Sequence, residues 1–184
     1  MKLLKKAALT LVLLSVWPGL SQAQQLSAVE TAQLGVETLL QTVAESRQLF
    51  LSDRDRYFAN VEEVLDTFVD FEAVAEVVMS RFSSQATAEQ KQRFADILSS
   101  TLTRFYGASL VSYEGEELVF LPPSNPNADP RADTVVGMEL RGGDSNMRLQ
   151  YQMFLNENNE WKLKNISLAG INLGRQYFTQ FSAL

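Results

Sequence analysis

The sequence contains neither cysteine nor histidine. Without thiols no disulfide can staple the fold and no thiolate can serve as a nucleophile, so stability must come from packing. Without imidazole the commonest general base and metal ligand is gone, which excludes Ser-His-Asp and Cys-His sites. A zinc site would have to be built from carboxylates alone. No G-x-S-x-G, P-loop or G-x-G-x-x-G motif is present either. The residues therefore assign no catalytic group, no metal and no cofactor. Long apolar runs are equally scarce. The longest, Ala7 to Val16, follows Lys2, Lys5 and Lys6 and is closed by Pro18-Gly19. It falls short of the roughly 20 apolar residues a membrane span needs. That pattern predicts a secretory signal peptide over residues 1–23, with Ser21-Gln22-Ala23 placing small residues at the cleavage positions. Residues 24–184 are then an exported domain, and without a cysteine beyond the apolar run no lipoprotein attachment is available.

What remains is acidic. Loss of residues 1–23 removes three lysines and no acid, taking the net charge from −6 to −9 over 161 residues. Such a body repels phosphate backbones and anionic bilayers, which excludes nucleic acid as a partner and argues against standing adsorption to membranes. A chain of this length suits one domain with its own core.

Helical periodicity fills the first half. Ser27-Ala28-Val29-Glu30 is a capping box, and Val29, Ala32, Val36, Leu40, Val43 and Phe50 predict a helix over about 28–51. After the polar turn Ser52 to Asp55, the residues Val61, Val64, Leu65 and Phe68 predict a second. Asp70 caps a third, whose stripe is Phe71, Val74, Val78 and Phe82, widened by Ala75, Val77 and Met79. Thr87-Ala88-Glu89-Gln90 is another capping box, opening a fourth helix to about Tyr113. From Glu117 the period changes to two. Val136, Met138 and Leu140, then Met147, Leu149, Tyr151 and Met153, alternate with polar residues. Trp161, Leu163 and the Ile166 region give a last strand. Helices followed by a meander predict an α+β domain, with N-terminal helices packed on a curved antiparallel sheet of about four strands in the manner of an NTF2-like cone. Tyr177, Phe178 and Phe181 begin one more amphipathic turn.

Three stretches carry a resemblance: FEAVAEVVMSRF from Phe71 to Phe82, ATAEQKQRF from Ala86 to Phe94, and RFYGASLVSYEG from Arg104 to Gly115. With Trp161 to Ile166, Gly170 to Leu173 and the aromatics Tyr177, Phe178 and Phe181, they span nearly all of residues 24–184. In order and content they resemble the MlaC family, also called toluene-tolerance auxiliary proteins. Members usually continue through a further C-terminal helix. The resemblance implies a periplasmic carrier for glycerophospholipid, working between an outer-membrane lipoprotein–porin complex and an inner-membrane ABC-transporter complex and performing no chemistry; a monomer fits a shuttle that must present the same mouth to both.

Such a carrier must replace the bilayer around an acyl chain, since exposing a sixteen-carbon tail to water costs on the order of 12 kcal/mol at about 0.8 kcal/mol per methylene. Under that implication Phe71, Val74, Val78, Phe82, Phe105, Val136, Met138, Leu149, Tyr151 and Met153 are the candidate pocket lining, with Met79 and Met147 adding flexibility. Each is equally at home in an ordinary core, and Trp161 is assigned to the core. Arg141, Arg148, Lys162 and Lys164 are the head-group candidates, although basic residues alternating with apolar ones on strands usually mark the solvated face. Two other readings compete. One is an NTF2-like enzyme using Asp133 or Glu139 with Tyr151; the other is a chaperone for apolar segments of outer-membrane proteins.

Overall fold

The computed structural model describes residues 25–123, 125, 128–142 and 145–183, so the signal-peptide reading lies outside the described residues. The chain runs through helices α1 (Ala28–Ser46), α2 (Leu49–Ser52), α3 (Arg54–Phe68), α4 (Phe71–Met79) and α5 (Ala88–Leu110). Strands β1 (Glu117–Phe120), β2 (Thr134–Gly142), β3 (Ser145–Leu155), β4 (Trp161–Leu168) and β5 (Ile171–Asn172) follow, and helix α6 (Leu173–Phe181) comes last. The strands pair in sequence order, each antiparallel to the next, in a curved and unclosed sheet.

Both capping boxes form. The Ser27 hydroxyl accepts from Glu30 N while the Glu30 carboxylate accepts from Ser27 N, and Thr87 and Gln90 do the same. Asp53 and Asp70 cap α3 and α4 through Arg56 N and Ala73 N. The first expected helix breaks at Arg47, and its last turn becomes α2, which swings Phe50 edge-on to Tyr57 and Phe58. The third stops at Met79 and tightens into a 3-10 turn over Ser80–Gln85. Ser80 sits there at φ 49°, a conformation most side chains avoid. Helix α5 ends at Leu110, three residues before Tyr113, because Ser112 N and Tyr113 N bond back to Ser109 and Leu110 and close the last turn.

The sheet has one strand more than the four expected. Its fifth member is a two-residue strand returned by the tight turn Ala169-Gly170, both at positive φ (48° and 83°). In β4 the inward residues change phase. Trp161 and Leu163 alternate, then Ile166 and Leu168, because the register with β3 slips between Gln152 and Met153 and leaves Lys164 unpaired in the ladder. A bulge of this kind bends a strand and re-aims its side chains.

One layer of helices covers the concave face. At one end the core is solid: Val136, Met153, Trp161 and Leu163 from the sheet meet Ala28, Ala32, Phe68 and Val69. Gly35 allows this contact, since a Cβ there would lie 2.5 Å from the Phe68 ring. The joint between α3 and α4 is held to the sheet by its backbone. Val69 forms a parallel bridge with Leu163, and Asp70 N donates to the Leu163 carbonyl at 3.0 Å. The Lys162 ammonium donates to the Asp66 and Thr67 carbonyls at the end of α3, where a positive charge is favoured.

Candidate functional site

Beyond this solid end the two layers part around a cavity of about 590 Å³. Its sheet wall carries Leu118 from β1, Met138 and Leu140 from β2, and Met147, Leu149 and Tyr151 from β3, with Leu163, Ile166 and Leu168 of β4 beyond them. The phase change in β4 is what places both Leu163 and Ile166 on this wall. Across from it stand Val36, Leu39 and Leu40 of α1, Val61, Leu65 and Phe68 of α3, and Phe71, Val74 and Val78 of α4. Leu102, Thr103, Tyr106 and Leu110 of α5 and Tyr177 of α6 complete it. Of the lining residues Ser109, Ser112 and Met147 are exposed, Met147 to 42%, and they mark the mouth.

The lining is apolar and its polar groups are mostly spent within the protein. The Tyr151 hydroxyl reaches only Met138 Sδ, at 3.7 Å, and burial holds its phenol far above the ordinary range. Tyr106 is pushed in the same direction, first by burial and then by the Tyr177 hydroxyl 3.5 Å away. Neither can serve as a base near neutral pH. Asn165 is fully engaged. Its Oδ1 accepts from Ile166 N and Gly174 N, and its Nδ2 donates to Asn172 and Gln152. Asn172 in turn caps α6 through Arg175 N, so one amide ties that helix to the sheet. Gly174 permits the approach, because a Cβ would stand 2.8 Å from Asn165 Oδ1.

Six of the ten residues expected to line a pocket do border the cavity: Phe71, Val74, Val78, Met138, Leu149 and Tyr151. The other four are placed elsewhere. Val136 and Met153 share the inward face of their strands but lie further along, at 1% and 0% exposure, inside the solid core. Phe82 follows the break of α4 and stacks on Phe178 and Phe181, with the Arg81 guanidinium 5.0 Å from its ring. Phe105 is 65% exposed, because α5 turns its neighbour Tyr106 inward instead.

None of the four basic candidates borders the cavity. Arg141 pairs with Glu139 at 2.7 Å, Lys164 with Asp133 while lying 5.1 Å from the Phe154 ring, and Arg148 stands opposite Glu139 on the outer sheet face. Lys162 lines a separate open concavity of about 660 Å³ walled by Glu62, Asp66, Asp70, Glu72 and Asp96. Asp133 and Glu139, the acids of the enzyme reading, are likewise committed to these outer ion pairs, away from Tyr151. Among the described residues no three potential ligands come together to hold a metal ion. Arg47 does not border the cavity either, but it reaches the backbone of a lining residue. It donates to the Tyr113 carbonyl at 2.7 Å, and Tyr113 lines the mouth. Its position follows from the break between α1 and α2, which no local pattern announced.

A helical layer over a curved, unclosed meander with an apolar space between them defines an α+β domain with an interlayer cavity, and the family follows from the sequence. The MlaC protein family profile matches residues 34–184, and the chain belongs to that family. It is 28% identical over 173 residues to the toluene tolerance protein ttg2D of Pseudomonas putida, covering 94% of this chain and 79% of that protein. The fold also matches a solved phospholipid-binding protein from Ralstonia solanacearum in complex with a phospholipid. There the TM-score is 0.76 at 26% identity, over 86% of this chain and 87% of the other.

Proposed function

We propose that this chain is a periplasmic carrier that holds glycerophospholipid by its acyl portion in the cavity and hands it between an outer-membrane lipoprotein–porin complex and an inner-membrane ABC-transporter complex, so maintaining outer-membrane lipid asymmetry. It works as a monomer and without chemistry. The observation that carries the reading is the apolar cavity itself. A core serving only stability packs to near crystalline density, whereas here about 590 Å³ stays open beside a core that is already solid. At about 27 Å³ per methylene at interior density, that space holds about 22 methylenes, enough for one sixteen- or eighteen-carbon chain. The structural relative is a phospholipid-binding protein in complex with a phospholipid, which supports phospholipid as the cargo.

Head-group contacts fall to the rim, where Ser109, Ser112 and Tyr113 stand and Arg47 donates to the Tyr113 carbonyl. A carrier that must release its cargo is served by few and exposed polar contacts. Organic extraction of the purified chain followed by mass spectrometry tests the binding. Intact phospholipid near one per chain is the expected result, and its absence, or release of fatty acid from lipid esters, overturns the reading. Handover is tested separately by the rate of lipid loss with and without the two membrane complexes; equal rates rule it out.

A further inference from the structure

Glu116 is the one charged side chain among the described residues that border the cavity. Its direction follows from strand alternation. Leu118 and Leu140 stand opposite each other on the concave face, with Met147 beside Leu140. Glu116 and Gly142 each lie two residues further out, on the same face and one row nearer the solvent. The stem of Glu116 crosses Gly142, where a Cβ would lie 2.5 Å from its Cγ. Backbone and carboxylate are both held. The Tyr113 hydroxyl donates to the Glu116 carbonyl at 2.7 Å, and Glu114 N to one carboxylate oxygen at 3.2 Å. The other oxygen has no partner among the described residues, and none of the ion pairs there includes Glu116. Helix α5 ends at the same mouth, with Ser109 and Leu110 on the lining, and a helix C-terminus favours positive charge.

We infer that Glu116 is a specificity-determining residue that selects cargo by head group, its carboxylate accepting hydrogen bonds from the primary ammonium of a zwitterionic phospholipid and disfavouring head groups that carry the phosphate charge alone. The inference rests on the carrier reading above. A lipid seated tail-down between the layers brings its polar end to the row of the sheet where Glu116 stands. A carboxylate only accepts, and a primary ammonium offers three N–H donors, as in Lys. A quaternary ammonium offers none, and a glycerol head group donates without charge. The phosphate stays toward solvent and Arg47, which is tied to the carbonyl of the same tyrosine whose hydroxyl holds Glu116.

The test uses 1-palmitoyl-lysophosphatidylethanolamine and 1-palmitoyl-lysophosphatidylglycerol, one tail with two head groups, each displacing the neutral dye N-phenyl-1-naphthylamine from the purified chain. At low salt the wild type binds the ethanolamine lipid roughly fivefold more tightly, the size of a partly exposed ion pair, and about 0.5 M salt shrinks the preference. Glu116→Gln abolishes it, and Gly142→Ala reduces it by displacing the carboxylate. Glu117→Gln is the control. Its carboxylate is exposed on the outer face opposite Arg141, so that variant removes the same charge and keeps the preference. Equal affinities in the wild type, or a preference that survives in Glu116→Gln, overturn the inference while leaving the carrier reading intact. So does an equal loss in Glu117→Gln, which traces the preference to overall charge. Failure of both lipids to bind removes both readings.

Discussion

Replacing Val74, Leu118 and Leu149 by Trp narrows the cavity from both of its layers, since the first stands on α4 and the others on β1 and β3. All three are partly exposed to the open space, so the larger rings have room without the strain that overpacking a filled core brings. Together they add about 210 Å³ of side chain at interior density and reduce about 590 Å³ to roughly 380 Å³. Capacity falls from about 22 methylenes to about 14 at the same density. An eighteen-carbon chain then leaves about four methylenes in water, at about 0.8 kcal/mol each. That is about 3 kcal/mol, or roughly a two-hundredfold weaker dissociation constant. Chains of fourteen carbons or fewer keep their affinity. Displacement of a fluorescent fatty acid across single-chain lipids from ten to eighteen carbons reads this directly. An equal loss at every length, or no loss at eighteen carbons in a variant whose circular dichroism matches the wild type, refutes the assignment of this space to acyl chains.

Gly35→Ala drives a Cβ to within 2.5 Å of the Phe68 ring, and thermal or urea unfolding will show a loss of about 1–3 kcal/mol as that ring is displaced from the core. In the turn from β4 to β5, Ala169 occupies a left-handed position at φ 48°. Ala169→Asn or Ala169→Gly removes the side-chain penalty there and raises stability by about 0.5–1 kcal/mol, measured in the same experiment. Tyr151 and Tyr106 are held in their neutral forms, chiefly by burial. Their folded phenols keep protons that the unfolded chain gives up near pH 10, so this contribution is fully present below about pH 10 and is lost as the pH rises above it. Phenolate absorbance from these two residues will appear together with the loss of circular dichroism; earlier appearance in a folded protein contradicts their burial.

Elements were legible wherever the signal is local. The capping boxes at Ser27 and Thr87 fixed two helix starts because each is a reciprocal pair of hydrogen bonds written three residues apart. The alternation of Met147, Leu149, Tyr151 and Met153 named the inward face of β3 correctly. It could not say how far along the strand the filled core ends. Met138 and Val136 share a face, yet one borders the cavity and the other is packed solid, a difference made by the helices that happen to lie opposite. Rotation of α5 was equally hidden, because Phe105 and Tyr106 are adjacent aromatics and only the tertiary arrangement decides which turns inward. The bulge in β4 could have been read: Trp161 and Leu163 fall on odd positions, Ile166 and Leu168 on even ones, and only an extra residue reconciles them in one strand.

The backbone tether between Asp70 and Leu163 makes the two ends of the molecule unequal. Helix joint and sheet are riveted together at the base by backbone, while the contact between the tyrosine hydroxyls of α5 and α6 joins helix to helix and does not tie that part of the layer to the sheet. Any widening is therefore wedge-shaped, with its apex at the rivet. For the proposed carrier function, that geometry has an acyl lipid enter tail first and leave polar end first, so that a receiving complex meets the hydrophilic end.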